Sequence, residues 1–342
     1  MSQKIQCLNF DVYQRFQGML GVIERLHLPD TSSVLDVGGF PGTFADILSP
    51  LNVITLDTEQ CPRPGYVAGV GESLPFPDST FDLVISSDTL EHIPPSHRSI
   101  FLDELFRVSK RWLIIGAPFD FPHITAAEKV ANDIHLLITY KENPWLSEHR
   151  VHGLPVLKET ISHLESLRCS CSIVPNSDIV FWCTMMCLQF LTELIPEGTF
   201  SKHLLHSPVN NCWTETIYPG PYAYRYIILA GKEEHRFDTL ANIETSQDAI
   251  IPNKHIIEKI SFIGQVTHEI TNSFQAWRHD SEKKQSPLST YAYIQQLEKA
   301  LQQQESDLKM LRHENTRLAR RLQKYDENLA IRFLRKFRNL FR

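Results

Sequence analysis

What the 342-residue sequence lacks sets its first limits. It has no N-terminal basic-then-apolar stretch with a small-residue cleavage site, and MSQKIQCLNFDVYQRF is too polar for a signal peptide, so a cytosolic start is expected. No uninterrupted apolar run approaches the roughly 20 residues of a membrane span. The longest stretch, Ile179 to Ile195, is broken by Thr184, Gln189, Thr192 and Glu193 and reads as a buried helix. The seven cysteines include one C-x-C pair (Cys169, Cys171) and one i,i+4 pair (Cys183, Cys187). They match neither a disulfide framework nor a zinc spacing, so reduced core thiols are expected. With 42% apolar and 22% charged residues, and no dominant repeat, wholesale disorder is excluded. A formal net charge of −6 argues against a general nucleic-acid binder.

That charge is unevenly spread. Residues 291–342 carry 12 Lys and Arg against 6 Asp and Glu, whereas residues 1–290 carry 22 against 34. From Ile294 an apolar series alternates steps of three and four through Leu297, Leu301, Leu308, Leu311, Leu318, Leu322 and Leu329, with Gln304, Asn315 and Tyr325 at the remaining core positions. Five such heptads predict a coiled coil over 291–329. Asn315 at an a position, and the g–e pairs Asp307/Arg312 and Arg321/Asp326, point to a parallel homodimer. The tail IRFLRKFRNLFR, within 330–342, is basic and free of acids. Its Phe333, Leu334, Phe337, Leu340 and Phe341 share one helical face, which suits an anionic membrane surface. Upstream, 233–290 reads as a helical stalk with its own series Ile256, Ile260, Ile263, Thr267, Ile270, Phe274, Trp277.

Residues 1–232 read differently. An opening helix over about Val12–Leu26 carries Val12, Phe16, Leu20 and Ile23 on one face. Apolar, β-branched runs then alternate with helical stretches: Ser33–Val37, Asn52–Asp57, Tyr66–Val70, Phe81–Ser86 and Trp112–Ala117. Without polar alternation they are expected to be buried on both faces, as parallel strands of an α/β sheet are. Two later strands, about Cys171–Val174 and Tyr224–Ala230, flank a Trp-, Cys- and Met-rich insertion that reads as a substrate-side cap.

The chemistry concentrates in SVLDVGGFPGTF, residues 33–44. A buried strand ends near Asp36, and the chain turns through Gly38, Gly39 and Gly42, where missing β-carbons allow a ligand close to the backbone. The next strand ends in Asp57, placed to accept both hydroxyls of a ribose. Phe40 stands where a dinucleotide fingerprint needs its second glycine. A carboxylate two residues before the first glycine would repel a diphosphate and attract a cation. S-adenosylmethionine (SAM), with a sulfonium and an α-amino group, fits that demand.

These residues, with GESLPFPDSTFDLVISSDTLEHIP over 71–94, resemble the class I SAM-dependent methyltransferases of the type 11 group. The resemblance covers about 33–119. It implies a Rossmann-like, doubly wound, seven-stranded α/β sheet ending in an antiparallel hairpin. It further implies a SAM site in which Asp36, Gly38, Gly39 and Gly42 take the methionine side and Asp57 the ribose. Thr58, Gly71 and Glu72 would border the adenine, and Ser87 and Asp88 the methyl group. The sequence departs from the group at Phe40, where glycine is usual, and at Val70, where an acid often meets the adenine.

Candidate catalytic bases are His92, His123 and His149, with His152 behind them. Phe119, Glu128, His135, Trp145 and Glu148 complete the expected acceptor side. The H-x-x-H of His149 and His152 lacks a full ligand set at a usual spacing, so no metal centre is expected. A methyltransferase domain followed by a coiled coil and basic tail resembles bacterial enzymes that modify surface polysaccharides from the cytoplasmic side. The expected acceptor is therefore a sugar hydroxyl of a glycan or its lipid-linked precursor. A small-molecule or quinone methyltransferase, or a non-catalytic scaffold, is the alternative.

Overall fold

The computed structural model describes residues 8–194, 210, 217, 222–232, 254–284 and 299. Seven strands form one sheet in the order β3-β2-β1-β4-β5-β7-β6. They are β1 (Ser33–Val37), β2 (Asn52–Asp57), β3 (Tyr66–Ala68), β4 (Phe81–Ser87), β5 (Ser109–Ala117), β6 (Cys169–Asp178) and β7 (Ala223–Lys232). The first five run parallel, whereas β7 is antiparallel to both β5 and β6. This is the Rossmann-like architecture with a terminal antiparallel pair that the sequence predicts.

Along the middle of the strands, residues alternate between two cores. Val34, Leu83, Ile85, Ile114, Ile227 and Leu229 face one side of the sheet. They pack against Phe16, Met19, Val22 and Ile23 of α1 (Phe10–Glu24) and Phe44 of α2 (Thr43–Ile47). Leu35, Val84, Leu113, Ile115 and Ile228 face the other, under α3 (Arg98–Val108), α4 (Pro122–Thr139) and α6 (Leu157–Ser166). Both faces are thus covered, which is why these strands read as continuous apolar runs.

Two further helices cap the strand ends. The first, α5 (Pro144–His152), starts with Asn143 accepting the Leu146 N–H at 3.2 Å. The second, α7 (Ile179–Leu191), starts with Asp178 accepting the Phe181 N–H at 2.8 Å. The latter buries Trp182, Cys183, Met185 and Cys187, so the insertion contains an apolar helix, and Cys183 and Cys187 are free thiols. No helix among the described residues is long and apolar enough to cross a membrane.

The chain divides into two compact units, Met1–Asn272 and Ser273–Arg342. In the first, α8 (Lys254–Lys284) begins by burying Ile260, Thr267 and Thr271. The threonines satisfy their hydroxyls on their own helix, at Ile263 O (2.7 Å) and Thr267 O (2.8 Å). Ile270, expected on the apolar seam, is exposed, and its neighbour Thr271 is buried instead. A straight helix of 3.6 residues per turn drifts off a strict heptad seam in just this way. In the second unit the Phe274 and Trp277 rings lie 5.4 Å apart. The coiled coil expected over 291–329, Lys299 apart, and the tail at 330–342 lie outside the described residues.

Candidate active site

Because β1, β2, β4 and β5 are parallel, their C-terminal ends share one edge, and the strand order reverses between β1 and β4. Ligand crevices of open α/β sheets form at such a switch point. Gly38, Gly39 and Gly42 lie here, and the turn's geometry requires glycine. Gly38 has φ +79°, and a Cβ there would overlap the Thr89 side chain. A Cβ at Gly39 would overlap the Asp36 carboxylate. Asp36 is 2% exposed, and its Oδ2 has no hydrogen-bond partner among the described residues. Burial pushes this carboxyl up to about 7 against the pull of the Arg15 guanidinium, and the Asp57 charge adds to the rise.

Asp57 ends β2 and ties the glycine turn down. Its Oδ2 accepts the Phe40 N–H at 3.0 Å, while Oδ1 accepts the Glu59 N–H (3.1 Å) and the Thr58 hydroxyl (3.4 Å). The Phe40 ring is half exposed, so the departure from glycine leaves the aromatic outside the core. Arg63 braces the far side of the turn, donating to Gly42 O (2.9 Å) and Asp46 Oδ1 (2.6 Å). Gly71 is buried against Phe101, with no room for a side chain, and Glu72 pairs with His97 Nδ1 at 3.4 Å. Val70, the second departure, is exposed.

At the end of β4 the sequence reading found only part of the arrangement. Asp88, held at φ +50°, accepts Arg225 Nε at 2.7 and 2.8 Å and Arg15 Nη1 at 3.2 Å. Arg225 projects from β7 and is buried; its Nη2 also donates to both Asp11 oxygens at 2.7 Å. Burial works against both charges, yet the arginines hold Asp88 below the usual carboxylate range, and Asp11 and Asp88 hold Arg225 well above its ordinary value. Trp182 Nε1 donates to Asp11 Oδ1 (2.8 Å), and its ring stacks on Tyr224 with centroids 3.6 Å apart. Next to Asp88, the Ser87 Oγ is buried without a partner.

Beside this ion-pair chain, a 3-10 turn over Leu90–His92 presents Glu91 and His92, and α5 brings His149 to meet them. The two Nε2 atoms stand 3.4 Å apart. His92 Nδ1 lies 2.9 Å from Glu148 Oε2, and His149 Nδ1 lies 2.9 Å from Glu128 Oε1, which also accepts the Tyr224 hydroxyl at 2.9 Å. Burial and the neighbouring His149 lower His92; burial would lower His149 as well, but the bond to Glu128 and the acids around it raise it. Glu91 is 1% exposed and is pushed up to about 8, by burial first and then by Asp88. A cavity of about 470 Å³ is lined by Glu91, His92, His149 and Tyr224 together with Asn9, Asp11, Arg15, Trp145, Trp182 and Arg225.

The structure therefore brings His92, His149, Glu128 and Glu148 together and leaves His123 apart. His123 is buried in an aromatic slot between Phe121 (5.5 Å) and Tyr222 (5.7 Å), 3.5 Å from the Tyr226 hydroxyl, and burial lowers it to about 4. Phe119 is core, and His135 Nδ1 meets Lys141 O at 2.8 Å. His152 is held 3.7 Å from Glu148. Asp11, Arg15, Tyr224 and Arg225 were missed. One signal was available: Arg225 is the only charge inside AYRYIILAG, and a lone arginine in an apolar strand needs buried acids.

A glycine turn after β1, a buried acid below it and an acid ending β2 thus lie together at the strand ends where open α/β sheets hold ligands. The family model described as a methyltransferase domain matches residues 35–113. An uncharacterized methyltransferase of Mycobacterium sp. (strain KMS) is 34% identical over 93 residues, 24% of this chain and 36% of the relative. One from Mycobacterium tuberculosis (strain ATCC 25618 / H37Rv) is 37% identical over 79 residues, 19% of this chain and 31% of the relative. The chain thus spans about a third of the length of the curated relatives it matches. Among solved structures, a SAM-dependent methyltransferase from Thermotoga maritima aligns at 15% identity and TM-score 0.41, covering 64% of this chain and 89% of that one. Another, from Archaeoglobus fulgidus, aligns at 18% and 0.39, covering 64% and 94%.

Proposed function

We propose that the protein is a SAM-dependent methyltransferase. The observation that carries this reading is Asp36 Oδ2, a buried carboxylate oxygen with no partner among the described residues, beneath a turn that has no space for β-carbons. A cation brought to that oxygen supplies what the fold withholds. Asp36 and the turn at Gly38, Gly39 and Gly42 would hold the methionine portion, Asp57 the ribose edge, and Thr58, Gly71 and Glu72 the adenine border. When bound, SAM supplies a methyl group already activated by its sulfonium.

The protein's own work is then positioning, which is worth about 7–11 kcal/mol when the acceptor is held in line at near-attack distance. Asp88, fixed by Arg225 and Arg15, shapes the junction between the turn and the acceptor cavity. The His92–His149–Glu91 cluster is the part of the cavity equipped to activate an acceptor. We assign a hydroxyl-bearing acceptor, a sugar of a glycan or its lipid-linked precursor. The support is a cavity that combines the Trp145 and Trp182 rings with the amides of Asn9, Asn143 and Gln189. In the same reading, 291–329 forms a homodimer and 331–342 engages an anionic membrane, placing the domain beside its acceptor on the cytoplasmic side. Purified protein incubated with methyl-labelled SAM and fractionated cell envelope should label a glycan fraction. Label confined to the quinone or small-molecule fractions would overturn the acceptor, and SAM binding without any label would favour a scaffold.

A further inference from the structure

The sequence offers no metal motif because its best ligands are far apart: His92 and His149 are 57 residues from one another. Folding brings them together, ring nitrogen to ring nitrogen. Each imidazole turns its Nδ1 toward a carboxylate at 2.9 Å, Glu148 for His92 and Glu128 for His149. A carboxylate accepts, so each Nδ1 carries a proton, and in the neutral rings each Nε2 is then a bare lone pair. Those two lone pairs face each other at 3.4 Å, with ring centroids 4.7 Å apart. Two acceptors aimed at one point repel unless something positive lies between them. The third wall of the gap is Glu91, buried, whose Oε2 has no hydrogen-bond partner among the described residues. One ligand atom from each of the three residues lies within 4.8 Å of the others.

We infer that Glu91, His92 and His149 form a binding site for a divalent transition-metal ion of the zinc type. Around such an ion, donors about 2.0–2.2 Å from the metal in a tetrahedron stand roughly 3.3 Å apart, which the two Nε2 atoms already meet. Two imidazoles and one carboxylate form a borderline donor set that selects zinc-like ions over magnesium or calcium. The bonds from Nδ1 to Glu128 and Glu148 are the outer-shell contacts that fix the tautomer and orientation of metal-binding histidines. Three protein ligands leave a fourth position, and the residues that bind the ion also line the cavity assigned to the acceptor. If the methyltransferase reading holds, that position would take the acceptor's oxygen; the metal site itself does not depend on that reading.

The test uses the full chain, stripped with chelator and titrated with Zn2+ by calorimetry, with Co2+ as a spectroscopic substitute. The site predicts one equivalent per chain and cobalt bands of a nitrogen and oxygen ligand field. His92→Ala and His149→Ala should each weaken uptake by at least ~100-fold, and Glu148→Gln by about 10-fold. No stoichiometric uptake by the native chain, as a proton shared between the two rings would give, overturns the assignment. So does an equivalent retained in the double histidine variant. Should that variant fail to fold, the cobalt spectrum of the native chain decides by itself, because a strong thiolate charge-transfer band would place the ion on cysteines instead. SAM titrated into the same metal-free sample reads the methyltransferase proposal separately, so the two can fail independently.

Discussion

Asp36 is held where its charge costs the folded state stability. Its carboxyl is raised from 3.8 to about 7 by burial, so the folded state holds a proton that the unfolded chain releases. At ~1.4 kcal/mol per pKa unit, the penalty is absent below pH 4 and grows to on the order of 4 kcal/mol above pH 7. Asp36→Asn should therefore raise the thermal midpoint of the ligand-free protein at pH 8, with the gain vanishing near pH 4, as scanning fluorimetry at the two pH values can show. An unchanged midpoint at pH 8 would contradict the account. This residue was legible in the sequence because its signal is local: an acid, one residue, then glycines. Glu128 and Glu148 were on the acceptor list, but their pairing with His149 and His92 was not visible, because nothing in a helix's own pattern shows which ring its acid will meet.

Among the elements, β1 and β2 begin and end where the sequence puts them, at Ser33–Val37 and Asn52–Asp57. β3 stops at Ala68, short of the expected Val70, since Gly69 and an exposed Val70 give it nothing to pack. β6 extends well past the expected Cys171–Val174 because its ladder with β7 recruits Pro175 and Asn176, residues of poor strand propensity on an edge strand. The Asn176 Nδ2 donates there to Gln14 O and Ile217 O, both at 3.0 Å, partners remote in sequence. The turn after β1 is the element most exposed to substitution. Gly39→Ala should leave the far-ultraviolet circular dichroism native while reducing SAM affinity at least about tenfold, because the new methyl group displaces the Asp36 carboxylate. An alanine variant that binds as the native chain does would show that the turn is not the cradle.

At the scale of the whole molecule, Arg225 joins parts that no local pattern connects: the start of α1, the turn after β4, and β7. Replacing it with leucine leaves Asp11 and Asp88 facing each other without their shared cation. The expected loss is ~3 kcal/mol or more, read as a drop in denaturation midpoint. A shift under about 1 kcal/mol would mean that solvent relieves both acids. Residues 291–342 belong to the same scale. Removing them should convert a dimer to a monomer in sedimentation and abolish flotation with anionic liposomes, whereas an unchanged sedimentation coefficient would remove the coiled-coil interface. The methyltransferase reading puts a cationic methyl donor over β1. The most direct measurement is calorimetric titration of SAM into the native chain and into Asp36→Asn at pH 7.5. The account predicts one site per chain in the native protein and at least a tenfold weaker one in the variant; no heat of binding, or equal affinities, would contradict it.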